Sequence, residues 1–238
     1  MNRLTTLMVS AAVLVVGAVL PWSRSVEGRP VPVRHYDTVT LGALLNHLAV
    51  IGDSYTAGSD EGGRGANGWT ARAWQELGQR GLRVQADVAA EGGAGYVVRG
   101  NRGSTFADLT ARAVRPDDVL VVFFGSRNDR EVDPAELARS AQGTFDLAHR
   151  IAPSARLLVI GPPWPTADVP PDILRVRDTV RNEAVGAGAE FADPIAAGWF
   201  VGQPGLIGGD GVHPTDAGHR YLADMITPLI ADQLPGPS

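Results

Sequence analysis

Two continuous apolar runs, Val119–Phe124 and Leu157–Ile160, narrow the folds open to this chain more than any other feature. A strand with one face in water alternates polar and apolar residues, whereas a run apolar at every position suits a strand covered on both faces. Shorter strand-type segments occur at Leu48–Gly52, Arg83–Ala89 and Glu190–Ala192, and the fourth strand begins at Arg156. Between them the spacing of apolar residues predicts helices over Trp69–Gln79, Thr105–Ala113, Pro134–Ile151 and Asp172–Ala187, with a last one over Thr215–Leu234. Asp133 followed by Pro134 has the pattern of an N-cap with proline at the first helical position. Regular alternation of strand and helix argues for one parallel sheet with helices on both sides.

At 238 residues the chain suits a single domain with a full core. Its first 24 residues stand apart. Arg3 precedes an apolar run from Leu7 to Leu20 broken only by Ser10, the pattern of a secretory signal peptide or, uncleaved, a signal-anchor. The anchor reading would give membrane association through residues 4–20. Residues 25–46 read as a linker and lead-in, and residues 47–238 as the folded domain. The chain has no Cys, so stability rests on packing and no thiolate takes part in any site. Every basic residue is Arg, net charge is −5, and no basic stripe with interleaved aromatics is present, so nucleic acid is not expected as a partner.

Chemistry-bearing residues gather at the ends of the predicted strands. The first strand stops at Gly52-Asp53-Ser54, which puts a serine at the C-terminal edge of the sheet, where open α/β folds bind ligands. Taken alone, Ser54 is equally a helix cap or turn residue. The second strand runs into Glu91-Gly92-Gly93-Ala94-Gly95, whose glycines let backbone N–H groups approach a ligand. The third ends at Gly125-Ser126-Arg127-Asn128-Asp129, where the Asn128 amide can donate to a developing oxyanion. The fourth cluster, Asp210-Gly211-Val212-His213-Pro214, precedes the last helix, and there a carboxylate can fold back onto an imidazole. A serine hydroxyl needs such a base to become a nucleophile. Of the five histidines only His213 has this setting; His219 reads as a surface or packing residue. Tyr55 stands where an aspartyl phosphatase would carry a second Asp, and the chain has no Lys for a P-loop. The glycines at 62–68 read as a mobile rim, and Asp60 and Glu61 as solvated acids rather than metal ligands. Trp164, Trp199 and Phe200 are candidates to line a substrate pocket.

These four blocks, in this order, resemble the SGNH (GDSL-type) serine hydrolase superfamily over about Leu48 to Leu234. The resemblance implies an α/β, three-layer α/β/α sandwich with a flavodoxin-like, mainly five-stranded parallel sheet. It also implies Ser54 as nucleophile, His213 as general base and then acid, and Asp210 as its orienter. The N–H groups of Ser54 and Gly93 with the Asn128 amide would form the oxyanion hole, and no cofactor or metal would be required. Two departures stand out. Gly125 lies one residue further from Asn128 than in the family's Gly-x-Asn-Asp block, and Ala89-Ala90-Glu91 replaces the usual Asn-Ala lead, which leaves Gly95 open beside Gly93. The expected activity is that of an exported esterase, secreted or held at the cell envelope, acting on a small-molecule, lipid or glycan ester. Acyl transfer at the same site and a non-catalytic envelope-binding module are the alternatives.

Overall fold

Alternation of side chains along the buried strands decides how this chain layers. In the computed structural model, which describes residues 45–125 and 127–235, five strands form one parallel sheet. They are β1 (Asn46–Gly52), β2 (Val84–Ala90), β3 (Leu120–Phe124), β4 (Arg156–Ile160) and β5 (Glu190–Ala192), ordered β2-β1-β3-β4-β5. Ala49, Ile51, Val121, Phe123, Leu157 and Val159 point to one face. Leu48, Val50, Leu120, Val122, Phe124, Leu158 and Ile160 point to the other. Each set needs a covering layer, and the helices supply two. Helices α3 (Phe106–Ala113), α4 (Pro134–Ile151) and α5 (Pro171–Gly186) cover the first face. Helices α2 (Trp69–Gln79) and α6 (Asp216–Gln233) cover the second, and a one-turn helix, α1 (Ser54–Ala57), follows β1.

The helix limits follow local chemistry. Asp133 accepts the N–H groups of Ala135 and Glu136 at the start of α4, with Pro134 at the first helical position. Thr105 and Asp108 form a reciprocal capping box on α3. Thr215 caps α6 by accepting the N–H of Gly218. The expected elements are all present, with ends differing by one or two residues, and β1 begins two residues earlier, at Asn46. The proposed signal or anchor and all of the linker but its last two residues lie outside the described residues. Among the described residues no helix is long and apolar enough to cross a membrane.

The order β2-β1-β3 reverses the direction in which the chain adds strands, and the crevice at such a switch point lies beyond the C-terminal ends of β1 and β3. Ser54 follows β1 there, and Arg127 and Asn128 follow β3. One edge of this crevice differs from expectation. The glycine-rich segment 58–68 is tied to the start of α6 rather than standing as a loose rim. Asp216 accepts the Gly63 N–H at 2.9 Å and the Asn67 amide at 2.9 Å, and Glu61 accepts the Gly209 N–H at 3.1 Å. Gly63, at φ +79°, lies flat against the ring of His219, where any Cβ would overlap the imidazole.

His219 is fully buried, and neither ring nitrogen has a hydrogen-bond partner. Loss of hydration pushes its pKa down to about 4; Asp216 pulls it up, while Arg72 and His213 add to the fall. The folded state therefore holds a neutral ring and the unfolded chain charges near pH 6.5. The stabilisation is present above that value and is lost as pH falls towards 4. Between pH 7 and pH 5 this residue should lower the unfolding free energy by about 2 kcal/mol. Urea denaturation at the two pH values should show that difference, and His219→Leu should remove it. An unchanged pH slope in the variant would assign the acid sensitivity elsewhere.

Candidate active site

Three turns build the site. At the end of β1, a Cβ on Gly52 would overlap the side chain of Thr56, so glycine lets the chain turn directly into α1. Asp53, almost fully buried, caps that turn by accepting the Tyr55 N–H at 2.9 Å. Ser54 is the first residue of α1, so its own N–H lies outside the helical hydrogen-bond ladder. Tyr55 packs into the core and donates its hydroxyl proton to the Val212 carbonyl at 2.5 Å, linking this turn to the one that carries His213. Burial, reinforced by the Asp53 and Asp210 charges and opposed by Arg127, pushes the Tyr55 phenol up to about 12, which keeps that proton in place.

The second turn precedes α6. Asp210 Oδ1 accepts the N–H groups of Val212 and His213 at 2.8 and 2.9 Å, and its Oδ2 lies 2.5 Å from His213 Nδ1. Desolvation works against the charged carboxylate, but these bonds from His213 and Val212 outweigh it and draw the pKa down to about 2. Asp210 is therefore an anion throughout the physiological range. His213 Nε2 lies 3.0 Å from Ser54 Oγ. An antiparallel bridge between Ile207 and Pro214 and a Gly208 N–H to His213 carbonyl bond of 2.8 Å fasten the loop at its base. The result is a continuous hydrogen-bonded line from hydroxyl to imidazole to carboxylate, able to take a proton from the serine.

The third part joins the ends of β2 and β3. Asn128 Nδ2 donates to the Ala94 carbonyl at 2.8 Å and, over a longer 3.3 Å, to Asp53 Oδ2. Gly125, at φ +130°, is packed so closely on Asp53 that a Cβ would overlap its carboxylate. The glycine that looked displaced by one residue in the sequence is thus required where it stands. Asp129 is fully buried and accepts the N–H groups of Tyr96, Val97 and Val98 at 2.7, 3.1 and 2.9 Å. Gly95 lies against that carboxylate and donates its N–H to Val98, whereas Gly93, at φ +80°, lines the space in front of Ser54. Glu91 fastens the same loop from behind by accepting the Arg102 and Ser104 N–H groups at 2.5 and 3.2 Å. Burial alone would raise its pKa, but those bonds and the Arg102 charge hold it below the usual carboxylate value.

These turns enclose a cleft of about 460 Å³ that contains Ser54, His213, Gly92, Gly93 and Asn128, with Arg64, Asn101 and Arg127 on its walls. Trp164 stands against Arg127, its ring centroid 4.7 Å from the guanidinium carbon. Trp199 and Phe200 are instead buried in the core beneath α6, where Phe200 meets the Tyr55 ring edge-on. Phe200 also borders a separate cavity of about 290 Å³ between Pro165 and Ile207. The contacts of Tyr55 with Val212 and of Arg127 with Trp164 had no signal in the sequence beyond residue type, because each depends on a partner far along the chain. Among the described residues no cluster of three His, Asp or Glu side chains is arranged to hold a metal.

A model of the GDSL-like lipase/acylhydrolase family matches residues 50–221. The chain belongs to this family. It is 62% identical over 214 residues to the GDSL lipase Rv0518 of Mycobacterium tuberculosis (strain ATCC 25618 / H37Rv), covering 89% of this chain and 93% of that protein. The fold is similar to that of the lipase/acylhydrolase from Enterococcus faecalis, with a TM-score of 0.63 and 17% identity over 82% of this chain and 99% of the other. It is also similar to a family two carbohydrate esterase from Clostridium thermocellum, solved with cellohexaose, with a TM-score of 0.62 and 16% identity over 79% and 64% of the respective chains. This GDSL-family protein is a carboxylic ester hydrolase on an SGNH hydrolase fold.

Within this GDSL hydrolase, Gly95 offers a test of the third turn. In Gly95→Ala the new methyl group would meet the Asp129 carboxylate. Overpacking of this kind costs about 1–3 kcal/mol, and the strain falls one residue from both Asn128 and Ala94. Chemical denaturation should show a loss of that size, and ester turnover should fall even under conditions where the variant remains folded.

Proposed function

We propose that Ser54 is the nucleophile of an acyl-serine mechanism. The observation that carries this reading is the 3.0 Å separation of Ser54 Oγ and His213 Nε2, continued by the 2.5 Å contact of His213 Nδ1 with Asp210. His213 takes the Ser54 proton as the oxygen attacks the ester carbonyl. Asp210, anionic at every working pH, fixes the ring tautomer and stabilises the imidazolium. The oxyanion is received by the N–H groups of Ser54 and Gly93 and by the Asn128 amide, whose long bond to Asp53 is the one an oxyanion displaces. His213 then gives its proton to the departing alcohol. Water, activated by the same imidazole, attacks the acyl-serine and releases the acid.

The cleft is small and mostly polar, which favours a short acyl group on a polar alcohol, such as an acylated glycan, over a long-chain lipid ester. We further read residues 1–24 as an export signal or anchor, from Arg3 and the apolar run that follows. Hydrolysis of p-nitrophenyl esters from acetate to palmitate should be fastest at the short end. Ser54→Ala should lower kcat by about 10⁴–10⁶-fold, and Asn128→Ala by about 10²–10³-fold. Near-wild-type turnover in Ser54→Ala would rule out this assignment.

A further inference from the structure

The ester-cleaving site leaves one charged side chain in its own wall unused. Arg127 opens the short 3-10 turn Arg127–Asp129 and lines the cleft beside Asn128. Trp164 covers one side of its guanidinium at 4.7 Å, and the Tyr55 phenol lies within hydrogen-bonding reach of the same group. The indole is itself held in place, donating Nε1–H to the Asp168 carbonyl at 3.0 Å and to Thr166 Oγ1 at 3.1 Å. Arg127 Nη1 is buried and has no hydrogen-bond partner. Among the described residues no carboxylate pairs with Arg127, whereas Arg64, the other guanidinium of the cleft, is joined to Asp60 at 2.5 Å.

A buried donor without an acceptor is unusual in a folded protein, because the group has given up water and gained nothing in return. Stacking on an aromatic face leaves the edge of the guanidinium plane, where the N–H groups lie, free for hydrogen bonding. That edge matches the paired oxygens of a carboxylate or phosphate better than a lone hydroxyl. We propose that Arg127, backed by Trp164, is an anion subsite of the catalytic cleft, so that the preferred ester carries a carboxylate or phosphate group close to the scissile bond. The inference rests on the acyl-serine reading of Ser54. It adds a substrate class to that reading: a neutral ester would be cleaved, but with the guanidinium left unmatched. An ester bearing an anion would fill it.

The test compares matched esters in the wild type, Arg127→Gln and Arg127→Lys. One pair places the charge on the alcohol side, 4-acetoxybenzoate against its methyl ester, with 4-acetoxyphenyl phosphate as the phosphate arm. A second pair places it on the acyl side, the mono-p-nitrophenyl ester of adipic acid against p-nitrophenyl hexanoate. Each variant is scored by its ratio of kcat/KM on the anionic and neutral members, so differences in intrinsic reactivity cancel. In at least one pair Arg127→Gln should lower that ratio by about tenfold or more, mainly through KM. Arg127→Lys, which keeps the charge without the fork, should fall between. The larger drop on carboxylate or on phosphate identifies the group preferred. Equal losses on charged and neutral esters would make Arg127 a brace for the Asn128 turn and overturn the proposal, as would an unchanged ratio in every pair. If the wild type cleaves none of these esters, or Ser54→Ala cleaves them as well as the wild type, the acyl-serine reading itself fails; the two failures are distinct.

Discussion

The carboxylate of Asp53 is the contact on which the rest of the site depends. It is almost completely removed from water at the end of β1, and groups from two separate turns, those after β1 and β3, are arranged around it. It caps the turn that presents Ser54, holds the far hydrogen of the Asn128 amide, and fits against the bare backbone of Gly125 at the end of β3. A buried carboxylate is tolerated only when donors surround it. That requirement fixes the distance between the ends of two neighbouring strands and so sets the spacing of the groups that face the ester. The same device recurs nearby, with Asp129 gathering three consecutive backbone N–H groups and Glu91 two. The turns around the cleft are thus fastened from behind by buried carboxyl groups.

The sheet provides the rigid frame for these turns. Both its faces are covered, so β1, β3 and β4 cannot slide without exposing a full row of apolar side chains on each side. Loops anchored to such strands can hold polar groups to within a few tenths of an ångström, which proton transfer between Ser54 and His213 would demand on the proposed acyl-serine mechanism.

Much of this was legible in the sequence, for identifiable reasons. Val119–Phe124 and Leu157–Ile160 signal a doubly covered sheet by composition alone, and Asp133-Pro134 marks a helix start through chemistry local to a few residues. The Asp210 to His213 contact was equally readable, since it is closed within a single turn. What escaped was long-range. That Gly125 serves Asp53, that Gly95 serves Asp129, and that segment 58–68 is moored to Asp216 each require knowing which distant pieces of chain meet. Trp199 and Phe200 show the converse: an aromatic pair near the right strand end can be read as pocket wall although core is the commoner place, and packing beneath α6 buries both, with Phe200 reaching only a separate cavity.

The loop that holds Asp210 and His213 has one more consequence. Its two functional side chains are joined within four residues and clasped at the base by the Ile207–Pro214 bridge, while their serine partner lies 159 residues away along the chain. His213 and Asp210 therefore form one preassembled cartridge, and Ser54 belongs to another. On the acyl-serine mechanism the site is a contact between two prefabricated parts, so its integrity is governed by whether α6 is seated on the sheet. Partial unfolding that lifts α6 would switch off ester cleavage while leaving most of the sheet intact, and reseating the helix would restore the site without rebuilding either part.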